Sequence, residues 1–422
     1  NQHFLNEGEI MKVALLDILH LGDHRDYNGG FGTKFATGGG FTSRVMRLAR
    51  SRNEFMPYTQ YGYIAGILKR NGHEVQLVKN QVPKGFDVII LSGSLIRHEE
   101  EIQFLNKIDV ETSSQVVIVG PLASKRPELF EGLYDTLIQG ECESLLESTK
   151  DLTELPKGIV KSENWNAFET IGLPDYTIYD FKNFSMFPLL KNSPVIPICG
   201  SRSCPYKCDY CPYIVNKKSY RSRTAQAIVA EIEHSIKTYG SHSFAFRDPV
   251  FSMDRERVVE LCGLIKEKGL KIEFLIETRT DRLDIELIDM MKEAGLRTIK
   301  IGVESADHEV LKKQKRVARF YILGLPEDTE ESMDKTINYA VALNTTFANF
   351  TICTPIPGTS FFEQIKDQIV DTKLEHYDNQ HLVFKHKNLE NETVYRYMEK
   401  AFRKFYMRPK FVKRYIEKAM SF

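Results

Sequence analysis

Three cysteines within eight residues carry the clearest chemistry in this sequence: Cys204, Cys208 and Cys211, in the stretch CPYKCDYC. Thiolates are soft ligands that suit iron–sulfur clusters or zinc. A zinc ion closed by protein needs a fourth ligand, and no His or Cys follows closely. Three thiolates on a cubane cluster instead leave one iron open, which is what a substrate-activating cluster requires.

The other four cysteines are scattered, and an odd total of seven is not a disulfide framework. Cys262 lies in the amphipathic VVELCGLI, and Cys199 and Cys353 lie in strand-like runs. All three read as small buried hydrophobes. Lys plus Arg and Asp plus Glu both number 57, so bulk charge favours no nucleic acid. No apolar run is long enough to span a membrane. The first ten residues are polar and lack the layout of a secretory signal. Together with the reduced thiols, these features predict a cytoplasmic protein.

The elements around the cysteines must position them. From Met11 to about residue 150, apolar runs such as MKVALLDIL, DVIILSG and QVVIVGP alternate with helical stretches such as YTQYGYIAGILKRNGH. That alternation predicts an α/β domain with a parallel sheet, binding ligands at the carboxyl ends of its strands. The residues expected there are Ser92, Gly93, Ser94, Gly120, Pro121, Gly140 and Glu141. Residues 151–190, with Trp165, Pro156, Pro174 and Pro188, read as a linker packed over both domains. Residues 191–360 alternate six strands with helices, a partial (β/α)6 barrel whose active site lies at the strand ends. Residues 361–422 read as helical, with an aromatic face toward the barrel.

The pattern CxxxCxxC, with Tyr210 before its last cysteine, resembles that of the radical S-adenosylmethionine (SAM) superfamily. RDPVFSMDRERVVELC, FLIETRTDRL, IKIGVES, FYILGLPEDTEES and TPIPGTSFFEQ follow in the order its barrels show. The resemblance implies a [4Fe–4S] cluster on Cys204, Cys208 and Cys211, with SAM chelating the open iron. It implies Tyr210 near the adenine, and SAM contacts at Asp248, Glu277, Arg279, Glu304 and Ser305. An external electron donor such as flavodoxin or ferredoxin would reduce the cluster.

The N-terminal stretches YGYIAGILKRNGHEVQLV, DVIILSGS, VVIVGPLASKRPELF and DTLIQGECE are similar to the cobalamin-binding domain that precedes many such barrels. Many relatives that bind cobalt through histidine carry Asp-x-His-x-x-Gly. Here DILHLGDH has Asp17, His20, Gly22 and His24 at other spacings, so no histidine ligand is expected. The function this implies is C-methylation of an unactivated carbon by methylcobalamin, after a 5′-deoxyadenosyl radical abstracts hydrogen. The substrate could be a small molecule, a lipid or a protein side chain. A cobalamin-containing cyclase or ring-rearranging enzyme is the alternative. A methylthiotransferase needs a second cysteine set, yet only Cys142 precedes the barrel. A non-enzymatic sensor would not need the full set of barrel motifs. Finally, ADHEVLKKQKRVA offers few apolar anchors for a barrel crossover, so a missing segment is expected near Arg316–Arg319.

Overall fold

The computed structural model describes residues 10–34, 54–162, 168–187, 189–214, 220–302, 320–345 and 347–411. Six parallel strands form the first sheet: β1 (Lys12–Asp17), β2 (Glu74–Lys79), β3 (Val88–Ser92), β4 (Gln115–Val119), β5 (Thr136–Gln139) and β6 (Gly158–Lys161). Their order is β2-β1-β3-β4-β5-β6, so the chain reverses direction across the sheet between β1 and β3. β3 and β4 are continuous apolar runs because both faces are covered. The covering helices include α1 (Thr59–Arg70), α2 (His98–Glu111), α3 (Gly120–Lys125) and α4 (Cys142–Ser148). β6 lies in the stretch read as linker, so the sheet extends past residue 150.

The linker beyond it is part of the core. Tyr176 is fully buried against α1, and a Cβ on Gly62 would lie 2.2 Å from its ring. One hydrophobic core runs from Val13 and Ile64 through Phe168 and Tyr176 to Ile196 and Phe274.

The second half has β7 (Val195–Ile198), β8 (Ser243–Phe246), β9 (Glu273–Thr278) and β10 (Leu296–Ile301) in one parallel sheet. A second parallel pair holds β11 (Phe320–Leu323) and β12 (Asn349–Ile352). The six expected strands are therefore four plus two, with no pairing of β10 to β11 among the described residues. The expected gap near Arg316–Arg319 falls outside those residues. Helices α5 (Ala225–Tyr239), α6 (Arg255–Glu267), α7 (Ile285–Glu293) and α8 (Glu330–Leu343) cover the strands. Thr224 caps α5 by accepting from Ala227 N at 3.2 Å, and Gly240 ends it in the left-handed conformation.

After β12 come α9 (Ser360–Ile365) and α10 (Asn391–Tyr406). The aromatic face of α10 packs Phe402 and Phe405 on Phe350 of β12. Between these two helices the chain is mostly turns, with a bridge joining Ile369 and Phe384. The expected helical region is thus only partly helical.

Candidate active site

The cysteine loop leaves the end of β7 and is held from several sides. A two-residue hairpin, Ser201–Arg202 with Arg221–Ser222, brackets it. Asp248, just past β8, is fully buried and accepts from Gly200 N (3.0 Å), Ser201 Oγ (2.6 Å) and Arg257 Nη2 (3.2 Å). Its carboxylate therefore fixes the entry to the loop. At the far side, Asp209 accepts from Phe361 N (3.0 Å) and Ser360 Oγ (3.0 Å) at the start of α9. Arg279 stacks 4.1 Å from the Tyr206 ring, and Arg282 Nε donates to Tyr206 Oη at 2.6 Å.

Cys204, Cys208 and Cys211 are partly exposed on this loop, with Cys211 N donating to Cys208 O at 3.1 Å. Among the described residues, no three His, Cys, Asp or Glu side chains converge tightly enough for one metal ion. A cubane places each thiolate on a different corner iron, so three cysteines on one loop can hold such a cluster. The remaining thiols differ in kind. Burial pushes Cys262 up to about 11 and Cys199 to about 12 and raises Cys142 and Cys353 further, keeping them neutral.

A cleft of about 500 Å³ opens beside the loop, lined there by Tyr210, Cys211 and Tyr213 and across from it by Glu277, Lys300 and Thr351. Burial alone would raise the pKa of Glu277. Lys300 at 3.3 Å and Arg247 at 3.0 Å more than offset that and hold it below the ordinary carboxylate value. Of the other expected SAM contacts, Asp248 and Arg279 are used in bracing the loop. Glu304 and Ser305 lie outside the described residues.

The sequence reading missed the wedge between the two domains. Arg247 Nε and Nη2 donate to Asp26 Oδ2 (2.6 Å) and Asp26 O (2.7 Å). Asp26 also takes the N–H (3.1 Å) and hydroxyl (2.9 Å) of Thr59 at the start of α1. Tyr27 packs beneath both cations, 4.8 Å from the Arg247 guanidinium and 5.0 Å from Lys300 Nζ. Gly29, at φ +65°, brings this loop so close that a Cβ would sit 3.2 Å from the Pro212 carbonyl carbon. The sequence is rich in glycine here, with Gly29, Gly30 and Gly32 close together, but nothing local names Pro212 as the target.

The expected strand-end residues of the first sheet divide into two groups. Gly120, Pro121, Gly140 and Glu141 line a recess of about 170 Å³ that faces Cys199, Tyr213 and Arg247. Glu141 there accepts from both Nη atoms of Arg221 at 2.6 and 2.8 Å, gripping the hairpin that brackets the cysteines. Ser92, Gly93 and Ser94 lie behind that wall, sealed within the domain: a Cβ on Gly120 would sit 2.3 Å from Ser92 Oγ, and Ser94 donates to Glu101. His20 pairs with Glu100 and His24 packs on Tyr27; neither lines the recess. Among the described residues no helix is long and apolar enough to cross a membrane.

Comparison with known proteins agrees with this arrangement. An uncharacterized methyltransferase of Pyrococcus horikoshii is 26% identical over 310 residues, 67% of this chain and 66% of the relative. An anaerobic magnesium-protoporphyrin IX monomethyl ester cyclase of Cereibacter sphaeroides is 27% identical over 259 residues, 56% of this chain and 42% of the cyclase. In both cases the aligned part is under two thirds of the relative's length. The solved structure of TsrM from Kitasatospora setae, a radical SAM methyltransferase with cobalamin and a [4Fe–4S] cluster bound, superposes with a TM-score of 0.62. It shares 15% identity and covers 86% of this chain and 79% of its own, so the likeness is one of fold. Residues 198–321 match the Radical SAM superfamily. That match opens on the last residue of β7 and closes inside β11, spanning the cysteine loop and the strand ends around the cleft. Residues 198–321 therefore carry a radical SAM domain, and the chain is an enzyme similar in fold to a radical SAM methyltransferase.

Proposed function

We propose that this enzyme is a cobalamin-dependent radical SAM C-methyltransferase. One observation carries the reading: the recess at the strand ends of the first sheet and the cleft beside the cysteine loop share Tyr213 as a wall. A methyl donor on the sheet and SAM at the cluster would thus face one reaction space. Cys204, Cys208 and Cys211 would hold the cluster, and their partial exposure leaves it reachable by a cytoplasmic flavodoxin or ferredoxin. Gly120, Pro121 and Gly140 are the small residues that would face a corrinoid bound over the recess. When bound, the cluster supplies the electron that cleaves SAM, and the corrinoid supplies the methyl group.

The chain's own residues hold and shield this chemistry. Glu277, kept ionised between Lys300 and Arg247, presents a fixed negative charge to the positively charged end of SAM. Tyr210 and Tyr213 wall the cleft with aromatic rings. The Asp26–Arg247 pair keeps the two domains closed over the space between them, limiting water. Methyltransferase names among the relatives support methyl transfer. The cyclase relative supports a second reading, radical ring closure without methyl transfer.

Reduced, cobalamin-loaded protein incubated anaerobically with SAM bearing a deuterated methyl group separates the two. Mass spectrometry of the corrinoid fraction finds the labelled methyl if the first reading holds. 5′-Deoxyadenosine without corrinoid labelling favours the cyclase.

A further inference from the structure

The first sheet has a second strand-end position, where chain order reverses between β1 and β3. In open α/β sheets this is where ligands enter. Here the protein fills it with its own side chains. Arg25 is 2% exposed, and its Nη1 donates to Glu101 Oε1 at 2.6 Å while Nη2 donates to the carbonyl of Ser92 at the end of β3. Glu101 is fully buried and also accepts from Ser94 N (2.9 Å) and Ser94 Oγ (2.7 Å). Tyr58 lies over the guanidinium at 5.5 Å and meets Ser92 Oγ at 3.1 Å. Phe31, fully buried, accepts from Leu95 N at 3.1 Å. On the other side Phe130 approaches so closely that a Cβ on Gly93 would lie 2.4 Å from its ring.

At the end of β1, Asp17 is 1% exposed and neither of its carboxylate oxygens has a hydrogen-bond partner. Arg25 Nε is likewise buried without one. An unpaired buried carboxyl costs free energy unless it is neutral, and burial raises the pKa of Asp17. Arg25 is thus committed to Glu101 and Ser92, with Asp17 as a buried neighbour that it does not pair with. The polar groups at this switch point are saturated by the chain or sealed from solvent. The recess at Gly120 and Gly140 adjoins this cluster on the barrel side, with Tyr58 and the contact of Ser92 with Gly120 between them.

We infer that Arg25 and its partners close the crevice into which a corrinoid's nucleotide tail would insert, so the enzyme recognises its corrinoid by the ring and takes tail-less corrinoids as well as complete ones. This rests on the reading that the domain binds a corrinoid. It assigns to Ser92, Gly93 and Ser94 the role of a sealed wall, and leaves ring contact to Gly120, Pro121 and Gly140.

The test is equilibrium dialysis of the full-length, cluster-reconstituted protein against hydroxocobalamin and, separately, aquacobinamide, which has the ring but no nucleotide. Bound corrinoid is read from its visible absorption. The expected result is retention of both with dissociation constants within about threefold, since a tail that makes no contacts adds no affinity. Cobalamin binding at least tenfold tighter than cobinamide overturns the closed crevice while leaving the corrinoid reading intact. Retention of neither removes the corrinoid reading, and this inference with it. The wild-type protein suffices, so no variant needs to fold.

Discussion

The wedge at Asp26 makes the most demanding prediction. Replacing Arg247 with Met keeps the length and apolar volume of the side chain but removes the cation between Asp26 and Glu277. All three groups are sheltered: side-chain exposure is 7% for Arg247, 12% for Asp26 and 18% for Glu277. Removing one partner of a buried pair costs about 3–5 kcal/mol. Glu277 keeps Lys300 and Asp26 keeps Thr59, so the lower end applies, about 3 kcal/mol or roughly a hundredfold in an opening equilibrium. The loss should appear where the wedge is closed. Amides of Gly30, Phe31 and Gly32 are hydrogen-bonded within the loop that Asp26 anchors, and their hydrogen exchange reports its opening. Arg247→Met should speed their exchange by about two orders of magnitude. Adding Asp26→Asn should recover part of the loss, because the double variant leaves no unpaired charge on Asp26. Exchange within threefold of wild type in the single variant, or strictly additive losses in the double, would refute the idea that this pair closes the domains.

Other expectations follow from the same geometry. Cys204→Ala, Cys208→Ala and Cys211→Ala should each abolish iron binding and 5′-deoxyadenosine formation; a variant that still holds four irons and cleaves SAM would contradict the cluster assignment. The pKa of Glu277 is held below its ordinary 4.5 in the folded protein, so its ion pairs stabilise fully above that value and fade as pH falls through the folded pKa. Glu277→Gln should therefore lose less thermal stability than wild type on acidification from pH 5 to about pH 3, and parallel acid limbs would count against the pairing. Gly29→Ala places a Cβ 3.2 Å from Pro212 at a positive φ, a backbone penalty of about 1–2 kcal/mol. SAM affinity should weaken several-fold with iron content unchanged, and an unaltered dissociation constant would show that this contact does not shape the cleft.

The parts of the structure legible in the sequence are those whose signal is local. β3 and β4 are continuous apolar runs, and the cysteine triad is a spacing within a single loop. β6 escaped because GIVK carries only two large apolar residues and begins with glycine. The helix-rich expectation for the C-terminal region held where α10 repeats an apolar face, and failed where the chain after α9 turns back through Ile369 and Phe384.

Strand-end polarity poses a different problem. The rule that ligands bind at strand ends selects the right edge of each sheet, but it does not say which polar groups the chain itself has already claimed. Glu141 looks like a ligand contact until Arg221, 80 residues away, takes both its oxygens. Asp248 looks like one until Gly200, Ser201 and Arg257 occupy it. Glu277 differs because Arg247 and Lys300 reach it while it still faces the cleft. Asp26 gave no local sign at all, since Arg247 lies 221 residues along the chain. A strand-end carboxylate is thus a ligand candidate only once the chain's own donors have been counted against it. Those donors arrive through tertiary contacts that no short window of sequence contains. By that count Glu277 is the expected SAM contact with the strongest structural case among the described residues, while Asp248 and Arg279 are spent on the loop they brace.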